Sequence, residues 1–228
     1  MVTIIFTRSF LLSQISNLTS EGRILDRTVI SRTIFAMESK FDESKYRDEE
    51  KGGGWEHIDF DEIDLGDRIG GGGVGIIYNG WYRGEPVALK TLFDTRIGED
   101  LKREYMDELL VMSKVKHSNI VQLLGACMTP PNLCFVMEMC ECSLHDLLHV
   151  QRASFSIKEN VTMATDVASA MEYLHALKPA IIHRDLKSHN VLRASNGSLK
   201  ICDFGLVKIK NTTAGTPAYM APELIENK

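Results

Sequence analysis

From Trp55 onward the chain carries short runs in which apolar and polar positions alternate, and the period changes twice along its length. Ile58, Phe60, Ile63, Leu65 and Ile69 supply apolar positions that lead into a glycine cluster. In Val87-Ala88-Leu89-Lys90 the two-residue period of a strand puts Val87 and Leu89 on one face and Ala88 with Lys90 on the other. From about Glu99 to Val115 the spacing becomes three and four, with Leu101, Tyr105, Met112 and Val115 on one stripe, which predicts a helix. Between Ile63 and Met139 the pattern therefore reads as short strands with one strong helix. From Ser143 to Leu177 it reads as helices, the last of them over Ile157 to Leu177 with Val161, Ala164, Ala168, Met171 and Leu174 inward. Two strand-like runs, Val191-Leu192 and Leu199-Lys200-Ile201, flank Asn196-Gly197, a strong hairpin-turn dipeptide. Segments of different type in succession predict two lobes and an α+β class. The strand-rich part covers about 55–139 and the mainly helical part about 140–228.

Residues 1–54 read as an extension. Glu38 to Gly54 is charge-dense and ends in Lys51-Gly52-Gly53-Gly54, the composition of a flexible linker. Met1 to Met37 is rich in Ser, Thr and Arg, and Glu21 is its first acid, a weak likeness to an organellar transit peptide. A disordered tail or a misassigned start is the plainer reading, and the expected cytoplasmic location rests instead on the cysteines. Arg8 interrupts the apolar stretch Ile4 to Leu12, which speaks against a secretory signal. A net charge of −5, with no basic stripe, speaks against a nucleic-acid partner. No apolar run reaches the roughly 20 residues that would span a bilayer. The five cysteines form no C-x-x-C pair, which points to reduced thiols rather than zinc ligation.

Five segments carry chemistry. Ile69-Gly70-Gly71-Gly72-Gly73-Val74-Gly75-Ile76-Ile77 holds G-x-G-x-x-G, whose missing Cβ atoms let backbone N–H groups approach phosphates. The strand-like residues that follow favour a strand–turn–strand over the helix that a dinucleotide-binding fold would place there. Lys90 faces the same side as Ala88 and can hold phosphate oxygens, although a solvent-facing lysine is the commoner fate. Glu108 falls on the apolar helix stripe, and a carboxylate there needs a cation, for which Lys90 is the candidate. His183-Arg184-Asp185-Leu186-Lys187-Ser188-His189-Asn190 and Asp203-Phe204-Gly205 flank the predicted hairpin. Asn190 and Asp203 then share its open end as hard oxygen ligands for Mg²⁺. Asp185 lies close enough to orient a hydroxyl nucleophile.

In order, these segments and Ala221-Pro222-Glu223 resemble the protein-kinase signature set, over about Ile63 to Glu223. The resemblance implies a bilobal kinase fold and transfer of the γ-phosphoryl group of ATP to a protein substrate. It implies that Ile69, Gly70, Gly71, Gly72, Gly73, Val74 and Gly75 cover the phosphates, and that Lys90 holds them while paired with Glu108. Asp185 and Lys187 are the implied catalytic pair, with Asn190 and Asp203 holding Mg²⁺. Phe135 to Cys140 resembles the segment joining the lobes. Met137 would guard the pocket, the backbone of Glu138 and Cys140 would meet adenine, and Ile77, Ala88 and Leu192 would sandwich the ring. Cys202 would line the rear of the pocket. Lys187 and Gly215-Thr216-Pro217 have the serine/threonine look, with Thr216 placed to contact Asp185 and Lys187. His117-Ser118-Asn119-Ile120-Val121 resembles the tyrosine-kinase-like group, the Raf and mixed-lineage kinases.

Thr212 or Thr213 is a candidate site for an upstream kinase, with Arg184 as the phosphate's partner. The sequence departs from the family after Cys140, where Glu141-Cys142-Ser143-Leu144 lacks the usual glycine pair. It also stops five residues after Glu223, where family members continue through further helices. That ending predicts exposed apolar surface and leaves an alternative reading: a catalytically inactive fragment that binds nucleotide or a partner kinase.

Overall fold

The alternating segments before Met139 pair into one six-stranded sheet in a computed structural model of the chain, which describes residues 55–72, 75–91, 99–129, 132–203 and 216–220. The strands are β1 (Glu56–His57), β2 (Ile63–Gly72), β3 (Gly75–Tyr82), β4 (Glu85–Thr91), β5 (Leu123–Cys127) and β6 (Cys134–Glu138), in the order β1-β5-β6-β4-β3-β2. All neighbours are antiparallel except β1 with β5. Arg83 and Gly84, at φ 50° and 83°, join β3 to β4, with Tyr82 facing Glu85. Two central residues with positive φ give the turn whose twist matches right-handed strands.

Helix α1 (Glu99–Lys114) lies on one face of this sheet. Its Tyr105, Met106, Leu109 and Met112 are buried in a cluster with Phe135, Met137 and Ile120. Val87 and Leu89 of β4 join Tyr78, Tyr82 and Val136 in a second cluster, while Ala88 packs against the first. The period-two reading of β4 therefore holds. The Leu101 side chain is outside what the structure describes.

A second, three-stranded sheet of β7 (Cys142–Ser143), β8 (Val191–Arg193) and β9 (Leu199–Ile201) follows in the order β7-β8-β9. Helix α2 (Ile157–Ala176) begins at a capping box. Ser156 Oγ accepts from the Glu159 amide at 3.3 Å, and the Ser156 amide donates to Glu159 Oε2 at 2.7 Å.

The helical reading that begins at Ser143 holds. Leu144 and His145 are helical and run into a π-helical turn, Asp146–Val150, opened by the Ser143 hydroxyl and amide donating to Asp146 Oδ2 at 2.7 and 3.3 Å. One helix expectation needs correction. The inward face of α2 is rotated from the predicted stripe. Asp166 Oδ2 accepts from the Leu199 amide at 2.9 Å, which turns the row 166, 170, 174 toward β9. Ala170 and Leu174 are buried, and Met171 packs against the core, whereas Val161 is 60% exposed and Ala164 and Ala168 are exposed.

Candidate active site

Strand alternation aims Lys90 away from Val87 and Leu89 and toward α1. Its Nζ donates to Glu108 Oε1 at 2.6 Å and to Asp203 Oδ1 at 3.2 Å. The lysine and Glu108 side chains are 17% and 7% exposed. Burial works against the ammonium, but Glu108 and Asp203 together hold its pKa above the ordinary lysine value. Burial pushes Glu108 up, against the pull of Lys90. One cation thus ties β4, α1 and the segment after β9 together.

Asp185 accepts from three side-chain donors. Oδ2 accepts from Lys187 Nζ at 2.6 Å and from Asn190 Nδ2 at 3.1 Å, and Oδ1 accepts from Thr216 Oγ1 at 2.7 Å. Lys187 also donates to Thr216 Oγ1 at 2.8 Å. Burial alone would raise the Asp185 pKa, but these donors hold it below the ordinary aspartate value. The main chain of this loop rests on His183, which is buried. Its Nε2 lies 2.9 Å from the Cys202 carbonyl oxygen, and its Nδ1 accepts from the Asp185 amide at 3.4 Å. A carbonyl only accepts and an amide only donates, so the ring is the neutral Nε2–H tautomer.

The β8–β9 register, Val191 with Ile201, brings the residues on either side to the same end. The Cys202 amide donates to the Asn190 carbonyl at 3.0 Å, and Asp203 comes next. Asn190 Nδ2 is committed to the Asp185 carbonyl and carboxylate, at 2.9 and 3.1 Å, which leaves the amide oxygen as the end a cation would meet. A carboxylate and a carboxamide oxygen are ligands that suit Mg²⁺. Arg184 and Asp203 hold positive φ, 66° and 68°. Non-glycine residues occupy that region at a cost of about 1–3 kcal/mol, and such strain concentrates at functional sites.

The glycine segment spans the end of β2 and the start of β3, with Gly70 facing Ile77 and Gly72 facing Gly75. A Cβ on Gly75 would lie 2.4 Å from the Thr91 carbonyl oxygen, so sheet packing alone demands glycine there. A Cβ on Gly70 would meet nothing closer than Ile77 at 3.7 Å, so packing does not demand it. Ile69 is 49% exposed. Gly73 and Val74 lie outside the described residues, as do Phe204, Gly205, Thr212, Thr213 and Ala221 to Glu223.

Ala88 faces Met137 and Val87 faces Glu138 in the β4–β6 register. Ala88, Cys140, Leu192 and Cys202 all pack, partly buried, against the cluster that contains Met137. Ile77 is partly buried on β3. The two thiols are poor nucleophiles. Burial pushes Cys202 up to about 12, with Asp203 adding to it, and burial with Glu138 pushes Cys140 up to about 11.

Sequence reasoning missed several tertiary contacts. Glu138 Oε1 accepts from Lys200 Nζ at 2.8 Å and from the Gln122 amide at 2.7 Å. Ser188 Oγ lies 3.0 Å from the Tyr219 hydroxyl, joining the Asp185 loop to the segment after Thr216. The alternation of Lys200 between Leu199 and Ile201 marks it as off the core, but nothing in the sequence pairs it with a residue so far away.

Comparison with known proteins agrees with this geometry. Residues 63–228 match the protein kinase domain. The chain is 40% identical over 181 residues to serine/threonine-protein kinase STY46 of Arabidopsis thaliana, covering 76% of this chain and 31% of that protein. It is 40% identical over 177 residues to the probable serine/threonine-protein kinase SIS8 of the same plant, covering 74% and 17%. It is 38% identical over 177 residues to the probable serine/threonine-protein kinase drkA of Dictyostelium discoideum, covering 75% and 28%. The chain thus spans about a third or less of the length of these curated relatives. With the family's matched region covering most of the chain, the chain belongs to the protein kinase family.

Proposed function

We propose that this site transfers the γ-phosphoryl group of ATP to serine or threonine hydroxyls of a protein substrate in signalling, with Mg²⁺. The observation that carries it is the meeting of Lys90, Glu108 and Asp203 in one ion cluster, beside Asp185 bound by Lys187, Thr216 and Asn190. Lys90, fixed by Glu108, places a positive charge where phosphate oxygens would lie. Asp185 is ionised and oriented, so it can accept a hydrogen bond from the attacking hydroxyl and take its proton. Lys187 sits between Asp185 and Thr216, where it can neutralise charge building on the transferred group. Asn190 and Asp203 would hold the cation, which supplies charge neutralisation to the phosphates. Catalysis here is positioning and electrostatics.

Ala88, Met137, Cys140 and Leu192 fit an adenine pocket that is mostly apolar. A cytoplasmic location and phosphorylation of Thr212 or Thr213 by an upstream kinase belong to the same reading. Replacing both threonines with alanine should lower activity well below the parent, and equal activity refutes that part of the reading.

The test is incubation of the 228-residue chain with Mg-ATP labelled at the γ-phosphate and a generic acceptor protein, beside Asp185→Asn. Label on acceptor serine or threonine, lost in the variant, supports the proposal. Label on tyrosine alone, or equal transfer by the variant, refutes it.

A further inference from the structure

We propose that Tyr105 is a positioning residue for the Lys90–Glu108 ion pair, fastening α1 to β4 at the main chain of the catalytic lysine itself. The inference rests on the kinase reading above. Tyr105 and Glu108 are three residues apart on α1 and so share a face. Glu108 reaches the lysine's side chain, and the Tyr105 hydroxyl donates to the lysine's carbonyl oxygen at 3.1 Å. The Tyr105 ring stacks on Phe135, with centroids 3.9 Å apart and planes 17° from parallel. Phe135 is the β6 residue directly opposite Lys90 in the register. Two contacts from one rigid, 3%-exposed side chain therefore converge on Lys90 and its cross-strand partner.

The physical need is specific. The Lys90 side chain is long and has several rotatable bonds, so a salt bridge alone would let α1 shift while the ammonium followed. An aromatic ring has two rotatable bonds, and its hydroxyl meets the carbonyl in one helix position. Moving the helix strands a buried hydroxyl without an acceptor, which is unfavourable. Burial also holds the Tyr105 pKa well above its ordinary value, so the group stays a neutral donor throughout the working pH range.

The experiment compares the 228-residue chain with Tyr105→Phe, which keeps the ring and removes only the hydroxyl, and with Phe135→Leu, which removes the stack and keeps the hydroxyl. Three readouts are taken: kcat and KM for Mg-ATP, the rate at which adenosine carrying a 5′ sulfonyl fluoride labels Lys90, and the urea midpoint. Tyr105→Phe is expected to lower kcat roughly five- to tenfold, with KM for Mg-ATP changed less than about twofold, and to change the Lys90 labelling rate. In a Glu108→Gln background the same change should have little further effect, since Tyr105 acts through the pair. Phe135→Leu should lower the urea midpoint more than it lowers kcat. A Tyr105→Phe protein with a lower midpoint but unchanged kcat and Lys90 labelling overturns the proposal. So does an equal fold-loss with and without Glu108. If the unmodified chain shows no turnover, the kinase reading fails. The labelling rate still decides the Tyr105 question.

Discussion

Lys200 and Glu138 form an ion pair of 2.8 Å that joins β9 to the end of β6, with side chains 14% and 27% exposed. The contact does not stand alone. The Val121 amide donates to the Ile201 carbonyl, and the Ile201 amide to the Asn119 carbonyl, both at 2.9 Å. Lys200 thus closes a seam between the two sheets beneath the segment that joins them. Removing the cation leaves a largely buried carboxylate with the Gln122 amide as its remaining donor among those described. Lys200→Ala is expected to cost about 1–3 kcal/mol in urea unfolding. Glu138→Gln in the same protein should recover part of the loss. A Lys200→Ala protein within about 0.3 kcal/mol of the parent would show that the pair contributes nothing.

Lys90 and Glu108 should separate in their kinetic consequences. Lys90→Met removes the charge that meets phosphate, and also leaves Glu108 buried without its cation. Phosphoryl transfer should fall by at least about 100-fold. Glu108→Gln keeps the ammonium and its contact with Asp203, so transfer should fall less. The check is a rate measurement at saturating Mg-ATP. Retention of parental turnover by Lys90→Met would remove the lysine from the mechanism.

Cys202 packs against the core cluster that contains Met137, and it is not held as a reactive thiol. With its pKa pushed up to about 12, the thiolate is scarce at pH 7.5. The greater basicity of that thiolate offsets only part of the deficit. Iodoacetamide should label Cys202 about 100-fold more slowly than a free cysteine peptide at pH 7.5. Mass spectrometry of the digested protein measures this directly. Labelling as fast as the peptide would mean that the thiol is not held as the structure places it.

The site was readable in the sequence wherever chemistry and local geometry act over a few residues. The Val87–Lys90 alternation, the Asn196-Gly197 turn and the lone acid on the α1 stripe led to Lys90, Glu108, Asn190 and Asp203, which the fold brings together. The α2 face was misread because its apolar residues surround more than one stripe. The hydrogen bond from the Leu199 amide to Asp166 and the burial of Ala170 and Leu174 mark the face that meets β9, and no periodicity contains that contact. Lys200 with Glu138, and Tyr105 with the Lys90 carbonyl, escaped for the same reason. Each depends on a tertiary juxtaposition, and Tyr105 looked like one more core aromatic.

The rotated α2 face yields a further prediction. Val161→Ser should change the unfolding free energy of this chain by no more than about 0.5 kcal/mol, as at an exposed site, while Leu174→Ala should cost about 2–5 kcal/mol. Equal losses at both positions would restore the predicted stripe.

His183 should make stability fall on mild acidification. Burial lowers its pKa below the ordinary 6.5, although the Cys202 carbonyl and the carboxylates of Asp203 and Asp185 pull the other way. The hydrogen bonds agree with that direction. Nδ1 must stay unprotonated to accept from the Asp185 amide, and a proton there would set two donors against each other. As pH falls through 6.5 the unfolded chain takes up a proton that the folded chain refuses. Stability therefore declines from there down to the lowered native value. His189, also lowered by burial and by His145 stacked at 3.8 Å, adds to the same slope. Asp185, Asp146 and Glu159 are shifted down, so their contributions are lost only at more acidic pH. Glu108, pushed up by burial, works with the opposite sign, so the His183 contribution is read as the difference between the parent and His183→Gln in urea unfolding between pH 7.5 and 5.5. The slope should be positive with pH and shallower in His183→Gln. The imidazole Cε1 proton of His183, followed by NMR, should titrate below 6.5. A midpoint at or above that value would mean that the ring is not held neutral by burial beneath the Asp185 loop.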